Sequence, residues 1–170
     1  GDIGDPAAVP DLVGVGLRSP EPEVRAACAI ALGRIPDPAR CIPALVDASN
    51  DENAATRREA MDAISRHHGS NPELVYSTLV TGLSDFDAQV RESAALSLAR
   101  LRDVRAIEPL LQATGDRTAV VREAAVLSLG ELISTEREKE AYPIIELLGD
   151  NSQNVQAAAL ASLANITRTD

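Results

Sequence analysis

The apolar positions of this chain recur on a helical period, and that pattern itself repeats. Val24, Cys28, Leu32 and Ile35 stand at positions zero, four, eight and eleven of one stretch. The same slots hold Thr56, Ala60, Ile64 and His67, then Val90, Ala94, Leu98 and Leu101. They recur as Val121, Ala125, Leu129 and Leu132, and as Val155, Ala159, Leu163 and Ile166. This spacing draws one stripe along an α-helix. The stretches begin at 24, 56, 90, 121 and 155, so the steps are 32, 34, 31 and 34 residues. Such a period marks a stacked array of helical units, not one chain wrapped on a single core. Strand patterns are weak, because the apolar residues do not alternate and Ala is abundant.

A second helical stretch precedes each of these. Four of the five carry proline in one slot, as Pro10, Pro43, Pro109 and Pro143. The proline falls about one turn after the helix start, which predicts a bend there. Asp5-Pro6, Asp37-Pro38 and Asn71-Pro72 join a capping side chain to a proline at the first helical position. Asp103 and Thr135 are caps without the proline. Asn53, Asp87, Thr118 and Ser152 are N-cap types ahead of the later helices, and Glu21-Pro22 stands in that place in the first unit. Gly69 reads as a helix C-cap.

These signals predict ten helices, near 6–18, 22–35, 38–49, 53–68, 72–83, 88–102, 104–115, 119–134, 136–149 and 153–168. They group into repeats of about 5–36, 37–70, 71–102, 103–134 and 135–170, forming one domain over residues 1–170. Gly1-Asp2-Ile3-Gly4-Asp5-Pro6 aligns with Gly33-Arg34-Ile35-Pro36-Asp37-Pro38, so the chain reads as a piece of a longer array.

The repeating unit opens on Asp-Pro, has Pro in its first helix and an Asp in the turn between helices, then Val-Arg, Ala and Leu-Gly. In the fourth unit the later part stands as Asp116, Val121-Arg122, Ala125 and Leu129-Gly130. This pattern resembles the HEAT-like repeat, of the short kind found in phycobilisome lyase subunits, over essentially the whole chain. The aromatic-glycine pattern of tetratricopeptide repeats and the Thr-Pro-Leu-His of ankyrin repeats do not occur. The resemblance implies an all-α fold, a right-handed α/α superhelix of the HEAT/armadillo type. It implies a non-catalytic protein-binding or scaffold module. The alternatives are an accessory subunit of an enzyme such as a bilin lyase, or a structural spacer in a larger protein. The scaffold alone does not choose between them.

In HEAT arrays the second helices line the concave side, which places the second, sixth and tenth positions after the Val/Thr slot on it. Those positions are Ala26, Ile30 and Arg34; Arg58, Asp62 and Arg66; Glu92, Leu96 and Arg100; Glu123, Leu127 and Glu131; and Ala157, Ala161 and Asn165. They either form a partner groove or pack against neighbouring units. The candidates for partner contact are Ile30, Arg34, Arg58, Asp62, Arg66, Glu92, Leu96, Arg100, Glu123, Leu127 and Glu131. Aliphatic side chains flanked by charges suit a protein surface.

Charge narrows the partner class. The formal net charge is −10 and only 2% of residues are aromatic. Such a chain repels a phosphate backbone and offers little for base stacking. It is equally unsuited to an anionic membrane. We expect a protein partner, basic where it meets the bulk charge, with no nucleic acid and no membrane. No apolar run approaches the length of a membrane span.

The most regular polar pair is a turn Asp with an Arg six residues on: Asp51/Arg57, Asp85/Arg91 and Asp116/Arg122. We read these as a structural ladder, each Arg bridging to the Asp of its own or the neighbouring unit. Ser19 replaces the Asp in the first unit and Gln156 replaces the Arg in the last. His67 and His68 are adjacent, so their side chains point about 100° apart on a helix and are poor joint metal ligands. HEAT-type iron hydroxylases resemble this array but use His-Glu dipeptides, and none occurs here. Val13-Gly14-Val15-Gly16-Leu17 lacks the strand and third glycine of a dinucleotide site, so both glycines read as packing positions. HEAT-like DNA glycosylases need a basic, aromatic-bearing groove that is missing here. No catalytic, cofactor-binding or metal-binding residue is expected, and the chain is read as no enzyme. Cys28 and Cys41 read as packed thiols, which favours a reducing, cytoplasmic setting.

Overall fold

A computed structural model describes residues 4–167 of the chain. The opening Gly1-Asp2-Ile3 and the end of the last predicted helix lie outside them. All regular structure among the described residues is helical. Ten α-helices follow one another: α1 (Val9–Gly14), α2 (Pro22–Leu32), α3 (Pro38–Ala48), α4 (Ala54–Ser65), α5 (Pro72–Gly82), α6 (Ala88–Arg100), α7 (Ile107–Ala113), α8 (Ala119–Leu132), α9 (Tyr142–Glu146) and α10 (Gln153–Ile166). They pack pairwise, in a HEAT/armadillo-like repeat arrangement. The chain divides into two compact units, Gly1–Ala94 and Ala95–Asp170, with the division inside α6.

The first helices of three repeats are broken where the sequence predicts a bend. Pro6–Ala8, Val104–Ala106 and Thr135–Ala141 are 3-10 segments that run into α1, α7 and α9. In each case Pro10, Pro109 or Pro143 sits in the first residues of the α-helix that follows. Proline has no N–H to bond back across that junction, so the preceding turn tightens to the 3-10 form. In the second repeat α3 runs through Pro43 unbroken, held at its start by Asp37 and Pro38.

Several caps form as expected. Asp5 accepts the N–H of Ala7 at 2.8 Å, Asn53 that of Ala55 at 2.9 Å, and Asp103 that of Arg105 at 2.9 Å. Others differ. The Ser152 side chain makes no capping bond to α10; instead its own N–H bonds Asp150 two residues earlier. Thr135 opens a 3-10 segment and is not the cap of a ninth helix. Gly69 is not a left-handed C-cap; among the described residues the non-glycine residue with positive φ is Arg102, at 51°, just past α6.

The predicted stripe forms most of the core, but Val24 is exposed and Leu101 and Leu163 are only half-buried. Leu32, Ile64, Leu98 and Leu129 are fully buried, as are Ala60, Ala94, Ala125 and Ala159. Burying a leucine is worth about 1.5–3 kcal/mol, so these slots dominate each unit's stability. His67 occupies its core slot by placing Nε2 3.0 Å from the Leu32 carbonyl oxygen, while His68 is exposed. Cys28 and Cys41 are buried and unbonded to each other. Gly16 packs directly on Cys28, where a Cβ would meet the thiol sulfur. Gly14 meets nothing, so its reading as a packing position fails.

Left-handed backbone is strained for a residue with a Cβ. Arg102→Gly is therefore expected to stabilise the protein by about 0.5 kcal/mol, the strain relief exceeding the extra freedom of glycine in the unfolded chain. Urea unfolding monitored by circular dichroism measures it; an unchanged or lower midpoint counts against strain at this residue.

Candidate functional site

Two sets of polar side chains were singled out by position, and the structure treats them differently. The ladder set is knitted into the turns. In the first unit Arg25 donates from Nε and Nη2 to the two oxygens of Asp51, at 2.8 and 2.9 Å, and from Nη1 to the Ser19 carbonyl oxygen at 2.9 Å. Arg57 repeats the arrangement with Asp85 at 2.7 and 2.8 Å and with the Asp51 carbonyl oxygen at 2.9 Å. In the second unit Arg122 does the same with Asp150, at 2.7 and 2.7 Å, and the Asp116 carbonyl oxygen at 2.9 Å. Arg91, itself buried, donates to the carbonyl oxygens of Asp85 and Phe86.

Each of Arg25, Arg57 and Arg122 thus holds the backbone of its own turn and the carboxylate of the next. The Arg and Asp of one repeat, Asp51 and Arg57 for example, meet through a main-chain carbonyl. The turn Asp also anchors the following helix: Oδ1 of Asp51, Asp85 and Asp116 accepts the N–H of Asn53, Asp87 and Thr118. Two members escape a search confined to pairs within one repeat, Arg25 and Asp150. Both stand in the repeated slots, so aligning every repeat is the signal that finds them. Gln156, in the last Arg slot, keeps half of the role by donating to the Asp150 carbonyl oxygen at 2.6 Å.

The fork-shaped contact holds the Asp85 and Asp150 carboxyls below the usual carboxylate range, chiefly through the hydrogen bonds from Arg57 and Arg122. Burial pushes both cysteine thiols up, so neither is a ready nucleophile.

The second set lies on the second helices and is more open. Ile30 on α2 is half-buried and Arg34, just past its end, is exposed; Arg58 and Asp62 on α4 are half-buried and Arg66, just past its end, is exposed. Arg66 pairs with Asp62 at 2.8 Å, and Arg58 with Glu59 at 2.5 Å. Glu92, early in α6, is half-buried. In the second unit Leu96 of α6 and Leu127 of α8 are 39% and 38% exposed, with Arg100 and Glu131 exposed and Glu123 half-buried. Ser128, next to Leu127, donates to the Ala95 carbonyl oxygen at 2.9 Å, which sets the two leucine-bearing stretches side by side.

Small polar residues between the helices form a second ladder that the periodicity does not reveal. Ser162 donates to the Val126 carbonyl oxygen at 2.9 Å and Asn165 to the Gly130 carbonyl oxygen at 2.7 Å. In the first unit Ser93 donates to the Arg58 carbonyl oxygen at 3.2 Å. The first unit also has a cleft of about 600 Å³ lined by Val46, Asp51, Arg57, Met61, Asp85 and Phe86 among others. Phe86 is 95% exposed at its edge. Among the described residues no group of three or more His, Cys, Asp or Glu could hold a metal ion, and no helix is long and apolar enough to cross a membrane.

Residues 9–76 and 76–164 both match the family described as HEAT repeats. The chain belongs to the HEAT-repeat family. No curated protein sequence matches it. Its fold is similar to that of the Escherichia coli protein YibA, with a TM-score of 0.77 at 20% identity over 95% of this chain and 60% of that one. It is similar to the complex of CpcE and CpcF of phycocyanin lyase from Nostoc sp. PCC7120, with a TM-score of 0.69 at 26% identity over 93% of this chain and 65% of that one. A designed armadillo repeat protein in complex with the peptide (KR)4 has a TM-score of 0.67 at 21% identity over 94% of this chain and 82% of that one. The chain thus spans about three-fifths of YibA and 65% of the lyase chain.

The ladder predicts a specific loss. Arg122→Ala leaves the Asp150 carboxylate largely buried without its fork, which costs about 2–3 kcal/mol. Arg102→Ala, outside the ladder, changes stability far less. Because the Asp85 and Asp150 carboxyls sit below their unfolded values, the stabilisation is fully present above about pH 4 and lost as pH falls through the lower folded values. Urea midpoints across pH test both points. Equal losses for Arg122→Ala and Arg102→Ala, or a midpoint that rises on acidification through this range, would contradict the ladder.

Proposed function

We propose that this HEAT array is a non-catalytic protein-binding module whose partner lies along the exposed ridge of its second helices. Membership of a family whose arrays are generally interaction scaffolds supports the reading at its coarser level. The observation that carries the finer level is the pair Leu96 and Leu127, both about two-fifths exposed and bordered by Arg100, Glu123 and Glu131. An aliphatic centre with a charged border is the composition of a specific, non-obligate protein contact. The net charge of −10 favours a basic segment and gives its capture a salt dependence.

A random peptide library displayed on phage tests this with no partner known in advance. Selected peptides are expected to be basic with aliphatic anchors, and capture should fall at least about tenfold, ~1.4 kcal/mol, for Leu96→Asp combined with Leu127→Asp. A control at Glu108 and Gln112, exposed on a first helix, should bind as the parent does. No enrichment, or peptides indifferent to the leucine variants, would remove the proposal.

A second reading, an accessory subunit of an enzyme such as a bilin lyase, is favoured by the 26% identity to the phycocyanin lyase complex across 93% of this chain. Titration with a free bilin should then shift its absorbance spectrum; an unchanged spectrum rejects direct bilin contact.

A further inference from the structure

The third repeat departs from the pattern of the others, and its departures meet in the cleft of the first unit. Pro10, Pro43, Pro109 and Pro143 share one slot of the first helix, and the third repeat has Ser77 there. Thr78 and Thr81 stand where the second repeat has Ala44 and Asp47. The residue after the turn Asp is Glu52, Arg117 or Asn151 elsewhere, and Phe86 here. Ser77, Thr78, Thr81 and Phe86 all line the cleft of about 600 Å³, a volume ordinary for a ligand site. The lining runs from Val46 to Phe86, well inside the chain.

The hydroxyls of this lining have spent their protons. Ser49 donates to the Val46 carbonyl oxygen at 2.7 Å, and Thr81 to that of Ser77 at 2.9 Å. Ser77 and Thr78 both donate to the Leu74 carbonyl oxygen, at 3.1 and 2.7 Å. A hydroxyl has one proton and two lone pairs, so each of these offers the cleft acceptors alone. The charged lining is Asp51, Asp85 and Arg57, a net negative set. Such walls favour a cation.

One donor is left over. Nη2 of Arg25 donates to both Asp51 and Glu52, and Nη2 of Arg122 to both Asp150 and Asn151. Nη2 of Arg57 meets Asp85 alone, because phenylalanine replaces Glu52 and Asn151 and has no side-chain acceptor. One Arg57 N–H in the cleft wall therefore has no acceptor among the described residues. The Phe86 ring forgoes that bond without gaining burial, since it is 95% exposed. Its own carbonyl oxygen is held by Arg91 Nη1 at 3.1 Å, so the ring stands on a pinned turn.

We propose that this cleft holds a lysine or arginine side chain from an extended basic segment of another protein. The cation lies against the face of Phe86 and meets the acceptor hydroxyls. A main-chain carbonyl of the same segment takes the open Arg57 N–H. A peptide carries both groups. An anion would face the carboxylates and the acceptor walls, and a simple amine would leave Arg57 unanswered. The net charge of −10 draws a basic segment in. The cleft shares no residue with the second-helix ridge, so the two sites are independent.

Fluorescence anisotropy of a labelled hexalysine peptide at about 0.15 M salt tests this. Phe86→Leu, which keeps apolar bulk and removes the ring, should weaken binding about threefold to fivefold. Phe86→Asn should weaken it at least about tenfold, because the new amide also fills the open Arg57 N–H as Asn151 fills that of Arg122. The same variant should raise the urea midpoint. Both variants leave the net charge unchanged, and hexalysine acetylated on every side chain should not bind. Binding that neither variant changes means attraction to the acidic surface as a whole, and overturns the proposal. So does an absence of binding, or equal binding of the acetylated peptide. A Phe86→Asn midpoint at or below the parent's means that no Arg57 N–H was open, and also overturns it. Loss of binding on Leu96→Ser with Leu127→Ser instead places the peptide on the ridge and rejects the cleft.

Discussion

Every unit of this protein depends on how closely its second helices approach one another. Helices of 11–14 residues, the lengths of α2 and α8, are marginal in water by themselves. They persist because a neighbour covers the small residues on each flank. Gly33 and Gly130 leave no room for a methyl group against Ala63 and Ser162. At that separation the hydroxyls of Ser128 and Ser162 reach the carbonyl oxygens of the preceding helix. Close packing and these hydrogen bonds are one device, since a larger side chain at either position would remove both.

The arginine ladder is the electrostatic counterpart at the turn end of the stack. A buried guanidinium is tolerated only with its hydrogen bonds filled, and each fork meets a carboxylate that also anchors the following helix. This couples the start of each second helix to the turn of its neighbour.

Function follows from what these two devices leave over. Positions that pack or bond are constrained to small, aliphatic or fork-shaped residues and carry little information about a partner. The outward positions differ from repeat to repeat: Asp62 on α4 and Arg66 at its end, Leu96 and Arg100 on α6, Leu127 and Glu131 on α8. The recognition surface we propose is defined by the order of repeats, not by any one motif.

The sequence alone determined the helical repeat, its five registers and the core stripe, because a periodicity of apolar residues is a local property that survives any arrangement of the units. It also located the Asp and Arg of the ladder. It left open whether an Arg bonds its own turn or the next, and the tertiary structure decided that it does both, to a carbonyl in one and a carboxylate in the other. Pairing within a repeat concealed Arg25 and Asp150, whose partners lie 26 and 28 residues away in the chain. Nor could periodicity separate Gly16, pressed on Cys28, from Gly14, which touches nothing. Whether Leu160 is core or surface depends on what lies beside it. The same slot is buried in four repeats and open in the fifth, because burial is a property of neighbours and not of the residue.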